Sequence, residues 1–239
     1  MSPQKSTNVL STAYMVFIDE LGNEVDLIIE EASRALCYKY IKPTDHVLEF
    51  GARYGTVSVF LSKMLDTGTQ LVSVEPDSRV WDCLERNAVV NDASFHIIKG
   101  VVSPLTHYLV QNQCVWEQKT YMDKGSFPEH LVHEVKNYTV DSLQEQFKLK
   151  FNVLVADCEG YLMEFFEHHK WFIAGLDTLI YEEDCVEWHR INDHFVDYRP
   201  LEEFLISCGF VMREDYVDNI GLHNKVWTRV PGQTVNLFV

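Results

Sequence analysis

The sequence predicts an α/β fold: a mostly parallel sheet with helices on both faces, preceded by an N-terminal β-ribbon. Three observations lead there. From His46 onward, short apolar strand patterns alternate with helical ones, the rhythm of parallel strands joined by crossover helices. Val47-Leu-Glu-Phe-Gly-Ala-Arg-Tyr-Gly55 is an apolar run that meets an acid and then turns between two glycines. Leu71-Val-Ser-Val-Glu75 is a second apolar run, again closed by an acid.

The elements follow in order. Tyr14-Met-Val-Phe-Ile-Asp19 and Glu24-Val-Asp-Leu-Ile-Ile29 are β-rich runs around the turn signal Leu21-Gly-Asn23, which gives the ribbon expected over residues 1–30. Residues 31–40 read as a helix that ends before Pro43, because the residue preceding proline avoids the α region. Residues 47–50 are a strand, and Val57, Phe60, Leu61, Met64 and Leu65 space a helix over 56–65. A second strand covers 70–75. The helix over 78–90 places Val80, Trp81, Leu84 and Ala88 on one face. Strands at 94–99 and 151–156 come next, then a helix carrying Leu162, Phe165 and Phe166. A fifth strand at 176–181 and a helix at 201–207, closed by Gly209, lead to two apolar stretches, 210–213 and 225–230, suited to a terminal hairpin. No repeat, low-complexity tract or Pro/Gly/Ser linker divides the sequence, so one domain is expected over 1–239.

One segment breaks the rhythm. Residues 103–138 hold Trp116, Tyr121, Phe127, His130, His133 and the prolines Pro104 and Pro128. A connection this long inside a compact domain suggests a substrate-side insertion or lid, with a peripheral helix over 129–135 as the plainer alternative.

Composition narrows the function. With 239 residues, 46% hydrophobic and 23% charged, the chain suits one large soluble α/β domain. A formal net charge of −16 argues against a nucleic-acid partner, whose binding relies on Lys and Arg neutralising phosphates. Cys37, Cys83, Cys114, Cys158, Cys185 and Cys208 are widely spaced without a Cys-x-x-Cys pair, so free thiols in a reducing, cytoplasmic setting are expected. Neither a signal-peptide order at the N-terminus nor a membrane-spanning apolar stretch is found.

The chemistry-bearing residues gather at the ends of the expected strands. Ligands of open parallel sheets bind beyond those carboxyl ends, at loops and helix N-termini. Gly51 and Gly55 let the backbone approach an adenosyl group, and Glu49 is placed to hold a cationic amino group. A dinucleotide site would want Gly-x-Gly-x-x-Gly, but position 53 is Arg, and an acid beside a pyrophosphate would repel it. The details favour S-adenosylmethionine, while a purely structural βα turn fits the same residues. Glu75, at the tip of the second strand, can accept both ribose hydroxyls; a nicotinamide cofactor uses the same device, and Glu-Pro-Asp also suits a plain turn. Asp157, Glu159 and Gly160 follow the fourth strand, which neighbours the first in a sheet wound outward from it. These acids can take a substrate proton, coordinate a metal or anchor substrate, or else complement the dipole of the helix they begin.

Val-Leu-Glu-Phe-Gly-x-x-x-Gly, Val-Glu-Pro-Asp and Asn-Val-Leu-Val-Ala-Asp-Cys-Glu-Gly together resemble the FkbM-type branch of class I methyltransferases, over roughly residues 40–230. The resemblance implies a seven-stranded Rossmann-like fold, S-adenosylmethionine as methyl donor, and O-methylation of a sugar, glycan or other small-molecule hydroxyl. It implies cofactor contacts from Glu49, Phe50, Gly51, Ala52, Tyr54 and Gly55, from Glu75 and Pro76, from Val101 in the adenine-side loop, and from Asp157. It places Asp157 and Glu159 at the catalytic face. Arg53, where a small residue is common, and the long 103–138 segment depart from the pattern and bear on the acceptor. A nicotinamide-dependent oxidoreductase and a non-catalytic adenosyl-binding module are the alternatives.

Other candidates carry less. His168-His169 offers a base near neutral pH, or a solvated helix end. Glu182-Glu183-Asp184 lies on the expected rim and could meet a divalent cation, but a solvated acidic loop explains it better and no metal site is assigned. Glu187-Trp188-His189 and Asp193-His194 lack metal-ligand spacing and receive no site. Trp116 and Tyr121 could stack on a sugar ring or pin the long segment to the core.

Overall fold

Apolar runs without a polar face can only sit inside a sheet covered on both sides. The runs at 47–50, 71–75 and 153–156 do so. The computed structural model describes residues 15–111, 120–122, 124–125, 127–183 and 196–232. Its elements are α1 (Glu31–Tyr40), β1 (Val47–Phe50), α2 (Thr56–Met64), β2 (Leu71–Glu75), α3 (Trp81–Val90), β3 (His96–Lys99), β4 (Val101–Val102) and β5 (His107–Val110). Then come β6 (Thr120–Tyr121), β7 (Val132–Val135), β8 (Asn137–Tyr138), α4 (Val140–Phe147), β9 (Val153–Ala156) and α5 (Tyr161–His168). The chain continues through β10 (Thr178–Glu183), α6 (Arg199–Ser207), β11 (Phe210–Val217) and β12 (His223–Arg229).

Seven strands form the main sheet in the order β11-β12-β10-β9-β1-β2-β3. Neighbours are parallel except at β12, which runs antiparallel to both β10 and β11. The terminal hairpin is therefore present, longer than its apolar stretches alone suggested. Val47, Val153, Val155 and Ile180 face α1 and α2, meeting Leu36, Val57, Phe60 and Leu61. Leu48, Phe50, Leu154 and Ala156 face the opposite layer, through Leu143, Leu162, Phe165 and Leu205 of α4, α5 and α6.

The N-terminal ribbon is not what the sequence led us to expect. Its two runs meet at one antiparallel bridge, Ile18 with Glu24, and the second run enters a turn at residues 27–30 that leads into α1. The first run spends its backbone groups on α3 instead. Asn87 accepts from Ile18 N–H and donates to Ile18 C=O, both at 3.0 Å. Asn91 treats Val16 the same way, at 3.0 and 2.8 Å. Four residues of helix rise about 6 Å and two residues of extended chain span about 6.6 Å, so the two amides match two successive same-side residues. Tyr14 and the residues before it lie outside the described part.

The long segment differs as well. Residues 129–131 form one 3-10 turn and 132–135 a strand, where the alternative had a helix. Strand β5 pairs with β6 and β7 in a small antiparallel sheet, and β4 pairs with β8. Val132 and Val135 stand three apart, a spacing that suits a helix, and it is the antiparallel pairing with β5 that makes this stretch a strand. Helix α4 was not among the elements expected, although Thr139 caps it by accepting from Ser142 N–H at 3.0 Å. Cys37, Cys83, Cys158 and Cys208 are free thiols; Cys114 and Cys185 lie outside the described residues. Among the described residues no helix is long and apolar enough to cross a membrane.

Candidate active site

Strand register sets the site. Phe50 aligns with Val74 on one side and Ala156 on the other, so the next residues, Gly51, Glu75 and Asp157, stand abreast at three strand tips. Gly51 N–H donates to Val74 C=O at 3.0 Å, and Asp157 N–H donates to Phe50 C=O at 3.1 Å. Gly51 has φ +84°, and a Cβ built on it would lie 1.6 Å from the Asp157 carbonyl oxygen. Only glycine permits this approach. The tips open into a cavity of about 630 Å³, within the usual range for a ligand site.

The cavity has two sides around that floor. On the β2–β3 side stand Glu75, Pro76, Asp77 and Val101; on the other stand Glu30 from the start of α1, Glu182 from β10, and Tyr216, Asp218 and Ile220 from the β11–β12 hairpin. Of the residues expected to contact a cofactor, Phe50, Gly51, Glu75, Pro76, Val101 and Asp157 line this space, as does Glu159. Glu49, Ala52, Tyr54 and Gly55 do not. Glu49 points toward α2 and lines a small recess beneath, where its Oε2 accepts from Ser58 Oγ at 2.6 Å and Ser73 Oγ at 2.5 Å. Tyr54 is core, packed with Phe17, Val59 and Val80, and its hydroxyl meets Glu20. Ala52 is buried with its N–H on Val74 C=O, and Gly55 caps α2.

The electrostatics are those of crowded carboxylates. Glu75 accepts from the backbone N–H groups of Arg53 and Asp77, each at 2.7 Å, yet burial pushes its carboxyl up to about 7. Glu49 is also pushed up to about 7, first by burial and then by the charge of Asp157, against its two serine hydrogen bonds. Glu30 reaches about 8 through burial and then Asp157, opposed by Arg34 and Arg53. Glu182 is raised by burial and by Asp157, Asp218 and Glu30, while Asn224 donates to it at 3.2 Å. Glu30 and Glu182 keep part of their surface open to the cavity, whose walls screen them from bulk water.

Glu30, Tyr216, Asp218 and Ile220 were not expected in the site. Glu30 sits at the cap of α1 with φ 61°, a conformation rare for a side-chain-bearing residue. A glutamate where Ser, Asn or Asp is the usual cap was the available signal. Arg53 and Glu159 share the left-handed region, at φ 47° and 55°, and both line the cavity. Glu182, at the end of β10, lines the cavity, whereas Glu183 pairs with Lys225 at 2.7 Å. Asp184, Trp116 and the 187–194 stretch lie outside the described residues. Among the described residues no group of His, Cys, Asp and Glu is arranged to hold a metal ion. His169 is buried against Phe165, its ring 4.5 Å away and its Nδ1 3.0 Å from Phe165 O, and His168 is exposed; neither lines the cavity. Tyr121 packs on Phe127 at 5.9 Å, and the long segment reaches the cavity through Thr120.

No protein family matches the sequence, and no curated protein matches it. Solved structures do resemble the fold. The cofactor-bound protein Rv0187 from MTB aligns with TM-score 0.53 at 13% identity, covering 85% of this chain and 81% of that one. A candidate O-methyltransferase from Klebsiella pneumoniae gives 0.50 at 12% identity, over 83% and 80%. A candidate tRNA (m1A22) methyltransferase from Streptococcus pneumoniae, in complex with S-adenosyl-L-methionine, gives 0.50 at 9% identity, over 85% and 74%. The expectation that nucleic acid is not a partner therefore rests on charge alone, since the fold is shared with a candidate tRNA enzyme. At these identities the likeness establishes the architecture: this chain has the Rossmann-like fold of S-adenosylmethionine-dependent methyltransferases, with its mostly parallel seven-stranded sheet.

Proposed function

We propose that the chain is an S-adenosylmethionine-dependent methyltransferase acting on a hydroxyl acceptor, the FkbM resemblance extending this to a sugar or glycan hydroxyl. The observation that carries the reading is the alignment of Gly51, Glu75 and Asp157 at three adjacent strand tips within one acid-lined cavity. The chemistry of that lining fits a cationic nucleoside and opposes a pyrophosphate, because phosphate charge brought beside Asp157 would add to the repulsion that already makes the neighbouring acids hold their protons. A nicotinamide dinucleotide is disfavoured on the same ground.

Glu75 would hold the ribose hydroxyls and Asp157 the amino group of the cofactor, which supplies an electrophilic methyl group when bound. Glu49 acts from behind, its charge adding to that of Asp157 while Ser58 and Ser73 fix its Oε2. The acceptor's proton has a carboxylate oxygen of Asp157 or Glu159 to go to, the two acids expected at the catalytic face. Arg53, beside Tyr54 at 4.9 Å and close to Glu75 through its own N–H, keeps one positive charge among these acids. The protein's task is then alignment of donor and acceptor plus exclusion of water.

Thermal unfolding with S-adenosylhomocysteine, NAD or no ligand tests the cofactor, since a ligand that binds the folded state alone raises the midpoint. A rise with S-adenosylhomocysteine and none with NAD is expected; the reverse overturns the reading. Transfer of a labelled methyl group to hydroxyl acceptors separates an enzyme from a binding module.

A further inference from the structure

The geometry points to the α1–hairpin side of the cavity as a binding site for an amphipathic ammonium compound, an apolar body carrying one protonated amine. Calling it the acceptor site rests on the methyltransferase reading; the ligand chemistry does not.

Two independent features define it. The first is apolar. Ile28 (62% exposed), Ile29 (41%), Tyr216 (45%) and Ile220 (67%) stand in water around one opening, although residues of their kind are normally buried. Large apolar side chains gathered around a concave opening mark a binding surface rather than scattered exposure. They are a poor surface for a free sugar, whose hydroxyls would lose water against isoleucine without gaining partners, so this side favours a hydroxyl on an apolar body over the sugar acceptor that the resemblance implies.

The second feature lies deeper. Glu30, Glu182 and Asp218 come from three different elements and converge with Asp157, each close enough to be felt electrostatically by another. The cations in the described lining are Arg53 and Lys39, and Lys39 is held by Glu214 at 2.5 Å at the rim. Burial first, and then repulsion among these like charges, makes Glu30 and Glu182 hold their protons strongly. A neutral ligand leaves that repulsion in place. A bound ammonium removes it and supplies N–H donors that carboxylates can accept. A divalent cation would also neutralise the acids, but they are not arranged as ligands to one ion.

The sequence of sites is consistent with a separate ligand. Glu75, Pro76 and Val101 lie on the β2–β3 side of β1, whereas Glu182 and the hairpin lie on the β10–β12 side, so an ammonium compound held by Glu30, Glu182 and Asp218 leaves the ribose-side residues to the cofactor and meets it only at Asp157.

The test uses three compounds with one body: tyramine, its neutral counterpart tyrosol, and the anionic 4-hydroxyphenylacetate. Each is titrated calorimetrically into the full chain, with and without saturating S-adenosylhomocysteine. Tyramine is expected to bind at least tenfold tighter than tyrosol, and 4-hydroxyphenylacetate more weakly than both. Glu182→Gln and Glu30→Gln should each reduce the tyramine preference severalfold and leave tyrosol nearly unchanged. Glutamine matches a protonated glutamate in size and keeps an oxygen for the Asn224 amide that Glu182 accepts from at 3.2 Å, so both variants should fold, and thermal unfolding checks it. Equal binding of tyramine and tyrosol, or glucose binding better than either, overturns the inference. If tyramine is preferred while S-adenosylhomocysteine does not bind, the ligand site stands and the methyltransferase reading falls.

Discussion

Gly51 and Asp157 occupy one space: a side-chain carbon at residue 51 would lie 1.6 Å from the Asp157 carbonyl oxygen. The strand tips that carry the site are therefore in backbone contact, and the contact depends on one missing methyl group. Gly51→Ala has to push β1 from β9 and also place alanine at φ +84°. Strain and overpacking together should cost about 3 kcal/mol. For a chain of this size that is a fall of roughly 6–12 °C in Tm, read by circular dichroism. An unchanged midpoint would mean that the tips separate freely.

Glu75 meets two backbone donors with two carboxylate oxygens. Glu75→Gln replaces one acceptor with an amide that must face an N–H group. Hydrogen bonds to charged groups contribute roughly 1.5–3 kcal/mol, so S-adenosylhomocysteine should bind about 10–100-fold more weakly by calorimetry. Binding within twofold of the unmodified protein would remove Glu75 from the site.

Glu49 gives a test in pH. Its carboxyl is raised from the ordinary 4.5 to about 7. The native state then holds that proton more tightly than the unfolded chain does. Stability from this group is complete below about pH 4.5 and declines as pH climbs through 7. Glu75, raised to about 7, and Glu30, raised to about 8, act with the same sign. His96 and His169, lowered by burial, act oppositely below their usual range. The difference between Glu49→Gln and the unmodified protein isolates Glu49. It should shift in favour of the variant between pH 5 and 8, by up to about 3 kcal/mol. A pH-independent difference in chemical denaturation would show that Glu49 is already ionised at pH 5.

Asn87 and Asn91 hold the N-terminal segment as a strand would. Asn87 is buried and also donates to Tyr54 C=O at 3.0 Å. Asn87→Ala leaves that carbonyl and the Ile18 backbone without their partner, at a cost of about 2–3 kcal/mol. The Ile18 amide should lose protection in hydrogen exchange before the β1 amides do. Equal protection in both proteins would mean that the flanking bonds, Val25 N–H to Phe17 O and Asp19 N–H to Asn23 O, suffice to hold the segment.

Much of this was legible in residue order. The runs at 47–50, 71–75 and 153–156 have apolar side chains at nearly every position, a signal for buried parallel strands that needs no partner to be read. Acids and glycines at their ends marked the functional edge. The ribbon was misjudged because β-propensity states what a segment can do, not which neighbour satisfies its backbone. Asn87 and Asn91 are distant in sequence and carry no strand signal. Glu30, Tyr216 and Asp218 were missed for a related reason: each belongs to an element whose local pattern is complete without them, and only the packing of α1 against the hairpin brings them to Asp157.

Glu49 shows where the boundary lies. Its place just before the turn follows from the sequence, as does its sharing a side with Val47, because strand side chains alternate. Which side that is does not follow, since both faces of β1 are apolar and either could have looked toward the ligand. The layer formed by α1 and α2 took Val47, and Glu49 went with it to Ser58 and Ser73. The residues alone determined the strands, the acids and the turn. Which acids share one cavity was decided by register and by which helix covers which face, both of which are long-range packing choices.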